Sequence, residues 1–363
     1  MLLWTEGFEQ FNNTTDFNAY LSSFWPLQFG GSQNYYDYQS GRLGGYSFRP
    51  QTSYNGGVSY WHLYLNSALH FTNYSNEGVL GFAYYYAENF CYYNDYRFIQ
   101  VQSNTNSGAQ FVIHFNSNNY LELRDGGNST ILVTSTFAIP LYMWCYFEFK
   151  FKIHNTEGYV EVYYDGQLIL SKYNFNTNYQ STLLYPGTIY IFVPKRNALY
   201  DDMYYLDTVG PAPFNDRLGP IAIKRVMPTI DGTKVEWTVR SGGTSHYLEL
   251  DDNYTIDTDS SYVQTSVTGA IDWFKFTAET GIVPIAVQVS AFTKLSMPGI
   301  SSLAVGITNY EETANQFKSS SYLRTGAWDA VKALFVTSPD TTAWSLAKLN
   351  NTQFGIKQIT GLS

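Results

Sequence analysis

The sequence predicts an all-β protein: a β-sandwich followed by a smaller, mostly-β domain. Three observations carry that prediction. Residues 144–170 alternate with a period of two, Cys145, Phe147, Phe149, Phe151 and Ile153 on one parity and Tyr146, Glu148, Lys150 and Lys152 on the other. That is the pattern of a strand with one buried and one wet face. Short runs of this kind recur at even spacing between Gly- and Asn-rich breaks, without a βαβ rhythm and without a repeat of roughly 20–50 residues. Aromatic residues reach 18%, with 33 Tyr and 25 Phe, against 14% charged residues. Such a balance favours strands over long solvated helices.

In chain order, residues 4–11 read as a short strand. Residues 12–24 read as one or two helical turns capped by Thr15 or Asp16, with Phe17, Tyr20 and Leu21 at helical spacing. Residues 29–57, rich in Gly, Ser, Asn and Gln, read as a hairpin and long loops. Strands are expected over residues 59–65, 78–86, 96–102, 110–115, 120–124 and 131–134. The central meander follows, with a strand led by Trp144, a turn from Asn155 to Gly158 and a second strand over residues 159–164. Asp165 and Gly166, a dipeptide that takes positive φ readily, reverse the chain into a return strand at Leu168, Ile169 and Leu170. A slip of one residue would turn Phe149 and its neighbours into water. Residues 188–193 and 200–207 complete a first domain, 1–208. Gly210, Pro211, Pro213, Gly219 and Pro220 then cluster, so residues 209–220 read as a linker. The second domain, 221–363, is expected to hold strands at 221–227, 235–239, 273–277, 285–293, 302–310, 334–337 and 354–359, with a short helix at 344–349.

The totals agree with this division. A chain of 363 residues suits two domains, and 44% hydrophobic residues supply their cores. A formal net charge of -9 argues against a nucleic-acid binder and against anionic membrane surfaces. No apolar run approaches the roughly 20 residues of a membrane span, so no membrane insertion is expected. The opening residues carry no basic, apolar leader, so no signal peptide is visible and synthesis in a cytoplasm is expected. Cys91 and Cys145 lie among aromatics and read as two buried thiols, with a disulfide as the alternative. The Asn-x-Ser/Thr triplets at Asn13, Asn73, Asn128, Asn253 and Asn350 are a chance product of an Asn- and Thr-rich chain.

Signatures of catalysis are missing. There is no Gly-x-Ser-x-Gly, no phosphate-cradling glycine loop and no nucleotide fingerprint. The five histidines, His62, His70, His114, His154 and His246, lack metal-ligand spacing. Glu148 and Glu161, on the wet parity of adjoining strands, come nearest to a carboxylate pair. Cross-strand pairing with Lys150 or Lys152 explains them without chemistry. No catalytic residue and no organic cofactor are assigned. Asp251, Asp252, Asp257 and Asp259 form the densest acidic cluster. Calcium is the cation such oxygens take, and Asx turns account for the same residues without a metal.

Tyrosine is the remaining signal. In consecutive runs, alternation sends at least one ring outward, and tyrosine suits protein interfaces and sugar stacking alike. Tyr35, Tyr36, Tyr38, Tyr85, Tyr92 and Tyr93 are therefore the candidate contacts for a glycan or a partner protein.

The first domain resembles a concanavalin A/laminin G-type jelly roll. The likeness covers residues 1–208 and rests on four features: Trp144 leading a strand, the turn from Asn155 to Gly158, the run Glu161, Val162, Tyr163, Tyr164, Asp165, Gly166, and the later Asp201, Asp202, Met203, Tyr204, Tyr205. Some laminin G-like domains collect a cation where Asp201 and Asp202 stand, so the resemblance implies calcium there. The Glu-x-Asp-x-Glu strand of laminarinase-type jelly rolls is absent.

A second resemblance spans almost the whole chain and is to tailed-bacteriophage virion proteins of the tail, fibre or head-decoration kind. It rests on Trp4, Thr5, Glu6, Gly7, Phe8 and Glu9, on Asp201 to Asp207, on Asn215 to Pro220, on Met227, Pro228 and Thr229, and on Ser338 to Thr341 with Trp344, Leu349, Asn350, Gln353, Phe354 and Gly355. It implies a non-enzymatic structural component located in the virion. Its partners would be capsid, tail or baseplate proteins and further copies of itself in a homo-oligomer. The alternative is a lectin-like adhesin recognising host-surface glycan. A second alternative, a glycoside hydrolase acting on envelope polysaccharide, needs a carboxylate pair that the sequence does not show.

Overall fold

The computed structural model describes residues 1–8, 27–30, 35–43, 46–51, 60–64, 75–86, 96–102, 108–179, 184–192, 198–250, 259–296, 302–319, 326 and 328–360. Backbone contacts divide the chain into two units, Met1–Lys224 and Arg225–Ser363.

The first unit is an all-β sandwich of the jelly-roll type, formed by strands β1 (Leu2–Glu6), β2 (Leu27–Gly30), β3 (Tyr35–Ser40), β4 (Tyr46–Gln51), β5 (Tyr60–Tyr64), β6 (Glu77–Tyr85), β7 (Arg97–Gln102), β8 (Ala109–Phe115), β9 (Leu121–Asp125), β10 (Ile131–Thr134), β11 (Trp144–Lys152), β12 (Gly158–Tyr164), β13 (Gln167–Phe175), β14 (Thr188–Phe192) and β15 (Leu199–Leu206). One sheet runs in the order β13-β12-β11-β6-β15-β4-β3, with β1 also paired to β15, and the other in the order β10-β9-β8-β7-β14-β5-β2. Their pairings are antiparallel. Between them lies an aromatic core in which the expected inner parity of β11 holds: Phe147, Phe149 and Phe151 are buried. Phe82 stacks on Phe149 at 5.6 Å between centroids, Phe98 of the opposite sheet meets Phe147 edge-on at 5.4 Å, and Phe111 meets Phe151 at 5.6 Å. Each such ring contributes about 3–5 kcal/mol by the usual cost of its truncation to Ala.

The outer face of the first sheet departs from the sequence reading. Glu148, expected in water, is 0% exposed, and Tyr146 beside it is buried as well. Two small residues of β6, Gly81 and Ala83, lie opposite Glu148 and Tyr146, and the Tyr204 ring packs directly on Gly81. Residues 209–220, expected as a linker, pack with the first unit instead and close over Glu148. Residues 221–224, expected to begin a strand, are irregular and continue the same segment. Lys150 and Glu161 are direct register partners, yet Lys150 reaches Asp216 at 2.8 Å and Lys152 reaches Glu157 at 3.5 Å, so neither makes the expected pair with Glu148 or Glu161.

The second unit is also mostly β. Its strands are β16 (Ile230–Val235), β17 (Thr238–Val239), β18 (Val263–Gln264), β19 (Ile271–Lys275), β20 (Val287–Lys294), β21 (Ser302–Asn309), β22 (Asn315–Ser319), β23 (Trp328–Phe335) and β24 (Thr352–Thr360). A five-stranded sheet, β16-β19-β24-β21-β22, accompanies two ribbons, β17-β18 and β20-β23. Leu303, Val305 and Ile307 pack against Val331, Ala333, Phe335, Trp344, Leu349 and Phe354. The expected short helix is α1 (Leu346–Asn350), whose Ser345 cap accepts the Lys348 N–H. Strand β22 escapes the sequence reading because its Asn-Gln-Phe-Lys-Ser has one apolar residue, Phe317, which stacks on Trp273 at 5.2 Å.

The cysteine reading is met in part. Cys145 is a buried free thiol, its Sγ 3.3 Å from the Tyr84 carbonyl oxygen. Cys91 and the helical turns expected at residues 12–24 lie outside the described residues.

Candidate functional site

The outer face of the first sheet carries two connected features, a buried lock and an exposed patch. The lock is centred on Glu148. Its Oε1 accepts the Tyr204 hydroxyl at 2.5 Å and the Gly219 N–H at 2.9 Å, and its Oε2 accepts Arg217 Nη1 at 2.7 Å. The Leu218 N–H donates in turn to the Tyr204 hydroxyl at 3.1 Å. Burial, together with the Glu148 charge, drives the Tyr204 phenol far above its ordinary value, so it remains a donor. A carboxylate removed from water needs such a full set of donors.

A second anchor lies along β15, where the register with β6 shifts between Asp201 and Tyr204 and Asp202 takes a φ of 48°. Asp201 accepts the Arg42 N–H at 2.9 Å and the Asp202 N–H at 2.8 Å. Asp202 accepts the Ile223 N–H at 2.7 Å and Arg42 Nη1 at 3.3 Å. Arg42 Nη1 also donates to the Ile221 carbonyl at 2.9 Å, and the Tyr146 hydroxyl to the Asp202 carbonyl at 2.8 Å. Burial raises the Asp202 carboxyl above its ordinary value against the pull of the Ile223 N–H and Arg42. Every carboxylate oxygen of the two aspartates thus faces an N–H donor. That donor set does not suit the calcium expected at Asp201 and Asp202, since a cation needs those lone pairs itself. Among the described residues no three His, Cys, Asp or Glu side chains gather into a metal-binding group. Of the acidic cluster near residue 255, only Asp259 is described, and it pairs with Lys294 at 2.8 Å.

The patch lies on the β12–β13 hairpin. Tyr159, Glu161 and Tyr163 share the outward parity of β12, and Tyr173 and Ser171 stand opposite Tyr159 and Glu161 on β13. The Tyr163 hydroxyl donates to Glu161 Oε2 at 2.9 Å and the Tyr173 hydroxyl to Oε1 at 2.5 Å. The rings of Tyr159 and Tyr173 lie 6.1 Å apart at 39°. Tyr173 is 48% exposed, and Tyr159 and Tyr163 are half-buried. Arg217 leaves the lock to lay its guanidinium 3.4 Å from the centre of the Tyr163 ring, so the lock and the patch share one side chain. Burial and the hydrogen bond to Glu161 push the Tyr163 phenol up to about 12, and the bond to Glu161 also raises Tyr173.

Partly exposed rings beside a carboxylate acceptor offer apolar C–H stacking and hydroxyl capture on one surface. The pair that the sequence offered, Glu148 and Glu161, does not supply two accessible carboxylates for glycosidic hydrolysis, because Glu148 is enclosed with both oxygens engaged.

Of the tyrosines chosen from sequence, Tyr85 is half-buried against Trp144 with 5.6 Å between ring centres, at the far end of β6 from the patch. Tyr35, Tyr36 and Tyr38 belong to edge strand β3, paired in register with Gln51, Pro50 and Phe48, and their side chains lie outside the described set. Tyr92 and Tyr93 lie outside the described residues altogether. Tyr159, Tyr163 and Tyr173 were not singled out. Their signal was the shared outward parity around Glu161, which consecutive tyrosine runs overshadowed.

No protein-family model matches the chain, and no curated protein is similar to it. Solved structures give likenesses of fold. The carbohydrate-binding module CBM66 from Bacillus subtilis is 8% identical, over 49% of this chain and 94% of that one, with a TM-score of 0.30. Domain 4 of AbnA, a GH43 extracellular arabinanase from Geobacillus stearothermophilus solved with arabinotriose, is 16% identical, over 56% and 91%, with a TM-score of 0.36. The galectin LEC-6 of Caenorhabditis elegans is 9% identical, over 40% and 88%, with a TM-score of 0.27. Identities and scores this low transfer neither ligand nor activity.

Proposed function

We propose that the protein is a non-catalytic glycan-binding protein whose first unit engages saccharide through the β12–β13 patch. The observation that carries this reading is the convergence of Tyr163 and Tyr173 on Glu161 beside Tyr159, on a partly exposed face of the β12–β13 hairpin. Two rings set at an angle can each take one apolar sugar face, while Glu161 accepts a ring hydroxyl in place of a tyrosine hydroxyl. A glycan array probed with and without calcium tests it. Binding that is unaffected by calcium and lost in Tyr173→Ala supports the reading. Binding that survives Tyr173→Ala and Tyr159→Ala together, or no binding at all, removes it.

A place on a phage particle, as the sequence resemblance implies, is compatible with this activity, since an adhesin serves a particle by holding it to a host surface. In favour of that place stands a particular observation: Tyr204 from one of the runs behind the resemblance, and Arg217 and Gly219 from another, converge on Glu148. A fold shared with those proteins would need both runs together. Mass spectrometry of purified virions and the oligomeric state in solution test the placement. A monomer that is absent from virions rules it out.

A further inference from the structure

We infer that the patch selects an ammonium-bearing saccharide, an amino sugar with a free amine, over its neutral N-acylated counterpart. This rests on the glycan-binding reading and adds the charge of the ligand to it. Among the described residues, three cations near the patch are already committed. Lys150 is paired with Asp216, Lys152 with Glu157, and Arg217 with Glu148. Glu161 is left with two phenol donors and, among the described residues, no ion pair. Glu77 adds a second carboxylate on the same side, bonded to the Thr208 hydroxyl at 3.3 Å and lying within hydrogen-bonding reach of Tyr159. Tyr159 therefore stands between two carboxylates that form no ion pair among the described residues.

Two consequences point the same way. A carboxylate with only neutral donors gains most from a charged one, because a charge-assisted hydrogen bond is roughly twice as strong as a neutral one. The faces of Tyr159 and Tyr173 attract cations through their quadrupoles, and the molecule already uses this attraction at Tyr163, where Arg217 lies 3.4 Å from the ring centre. An ammonium group resting on the Tyr159 and Tyr173 faces and donating to Glu161 satisfies both. An acidic sugar would meet repulsion from Glu161 and Glu77.

The test compares fully deacetylated and fully acetylated glucosamine oligomers of equal length by calorimetric titration at low ionic strength. The deacetylated oligomer should bind about tenfold more tightly, and the difference should shrink with added salt. Glu161→Gln should bring the two affinities together and leave binding of the acetylated oligomer in place. Because the chain is acidic overall, Glu311→Gln in the second unit, an exposed site of equal charge change, serves as the control and should keep the preference. Equal affinities in the wild type, or a preference that survives Glu161→Gln, overturn the inference while glycan binding stands. If neither oligomer binds and no other glycan does, the glycan-binding reading falls with it.

Discussion

Arg217 and Glu148 form a buried ion pair, 2.7 Å from Nη1 to Oε2, on the side of the first sheet that faces away from the sandwich core. Glu148 is wholly enclosed, whereas Arg217 keeps 23% of its side chain in solvent. The pair is therefore asymmetric, and its two halves are not equivalent to mutation. Arg217→Ala strands an enclosed carboxylate and should destabilise the first unit by about 3–5 kcal/mol. Glu148→Gln keeps an acceptor for Tyr204 and Gly219 and frees a cation already partly in water, so its effect should be the smaller. Urea denaturation followed by first-unit tryptophan fluorescence measures both. Equal losses would mean that the segment from 209 to 224 is held by something other than this pair.

Gly81 is the counterpart of that lock on β6. A Cβ at this position would overlap the ring of Tyr204, whose hydroxyl is held in place by Glu148 and by the Leu218 N–H. Gly81→Ala would ordinarily favour a strand. Here it should destabilise by about 1–3 kcal/mol, because the ring is tethered at its far end and cannot swing away. Combining Gly81→Ala with Tyr204→Phe should recover part of the loss in a double-mutant cycle, since the freed ring can then move.

What the sequence revealed, and what it did not, follows the same division. The inner face of β11 was legible because a period of two with large aromatics has one buried solution. Phe149 is 2% exposed and stacked on Phe82. Phe149→Asp should accordingly unfold the first unit by placing an unpaired charge in an aromatic core, a penalty of several kcal/mol. Circular dichroism at 25 °C reads this directly, and a variant that melts like the wild type would invert the inside and outside of the sheet. The outer face was not legible. Glu148 and Lys150 occupy the same parity and look equally wet, and both meet a segment that returns some seventy residues later, but that segment encloses Glu148 and offers Lys150 only the exposed Asp216. That segment in turn was disguised by its glycines and prolines, whose composition is the same whether the backbone is a free connection or is clamped by N–H donors to Glu148 and Asp202. Long-range pairing of this kind leaves no local periodicity. The patch was half legible, since Tyr159 and Tyr163 follow the outward parity of β12 while the approach of Tyr173 to Glu161 depends on the register with β13.

Tyr163 supplies a prediction in pH. Burial and the hydrogen bond to Glu161 raise its phenol from an ordinary 10.0 to about 12, so the folded state holds a proton that the unfolded chain has lost in this interval. Stability drawn from this group is therefore complete below about pH 10 and is lost as pH rises through 10 towards 12. An NMR titration of the tyrosine Cζ resonances should show Tyr163 ionising well above the exposed tyrosines. In Glu161→Gln the midpoint should fall, because the acceptor charge is gone, but should stay above 10.0, because burial is the larger cause and is unchanged. A Tyr163 midpoint that does not move in Glu161→Gln would mean that its hydroxyl is not donating to that carboxylate. The patch would then lack the shared acceptor on which its recognition of sugar depends.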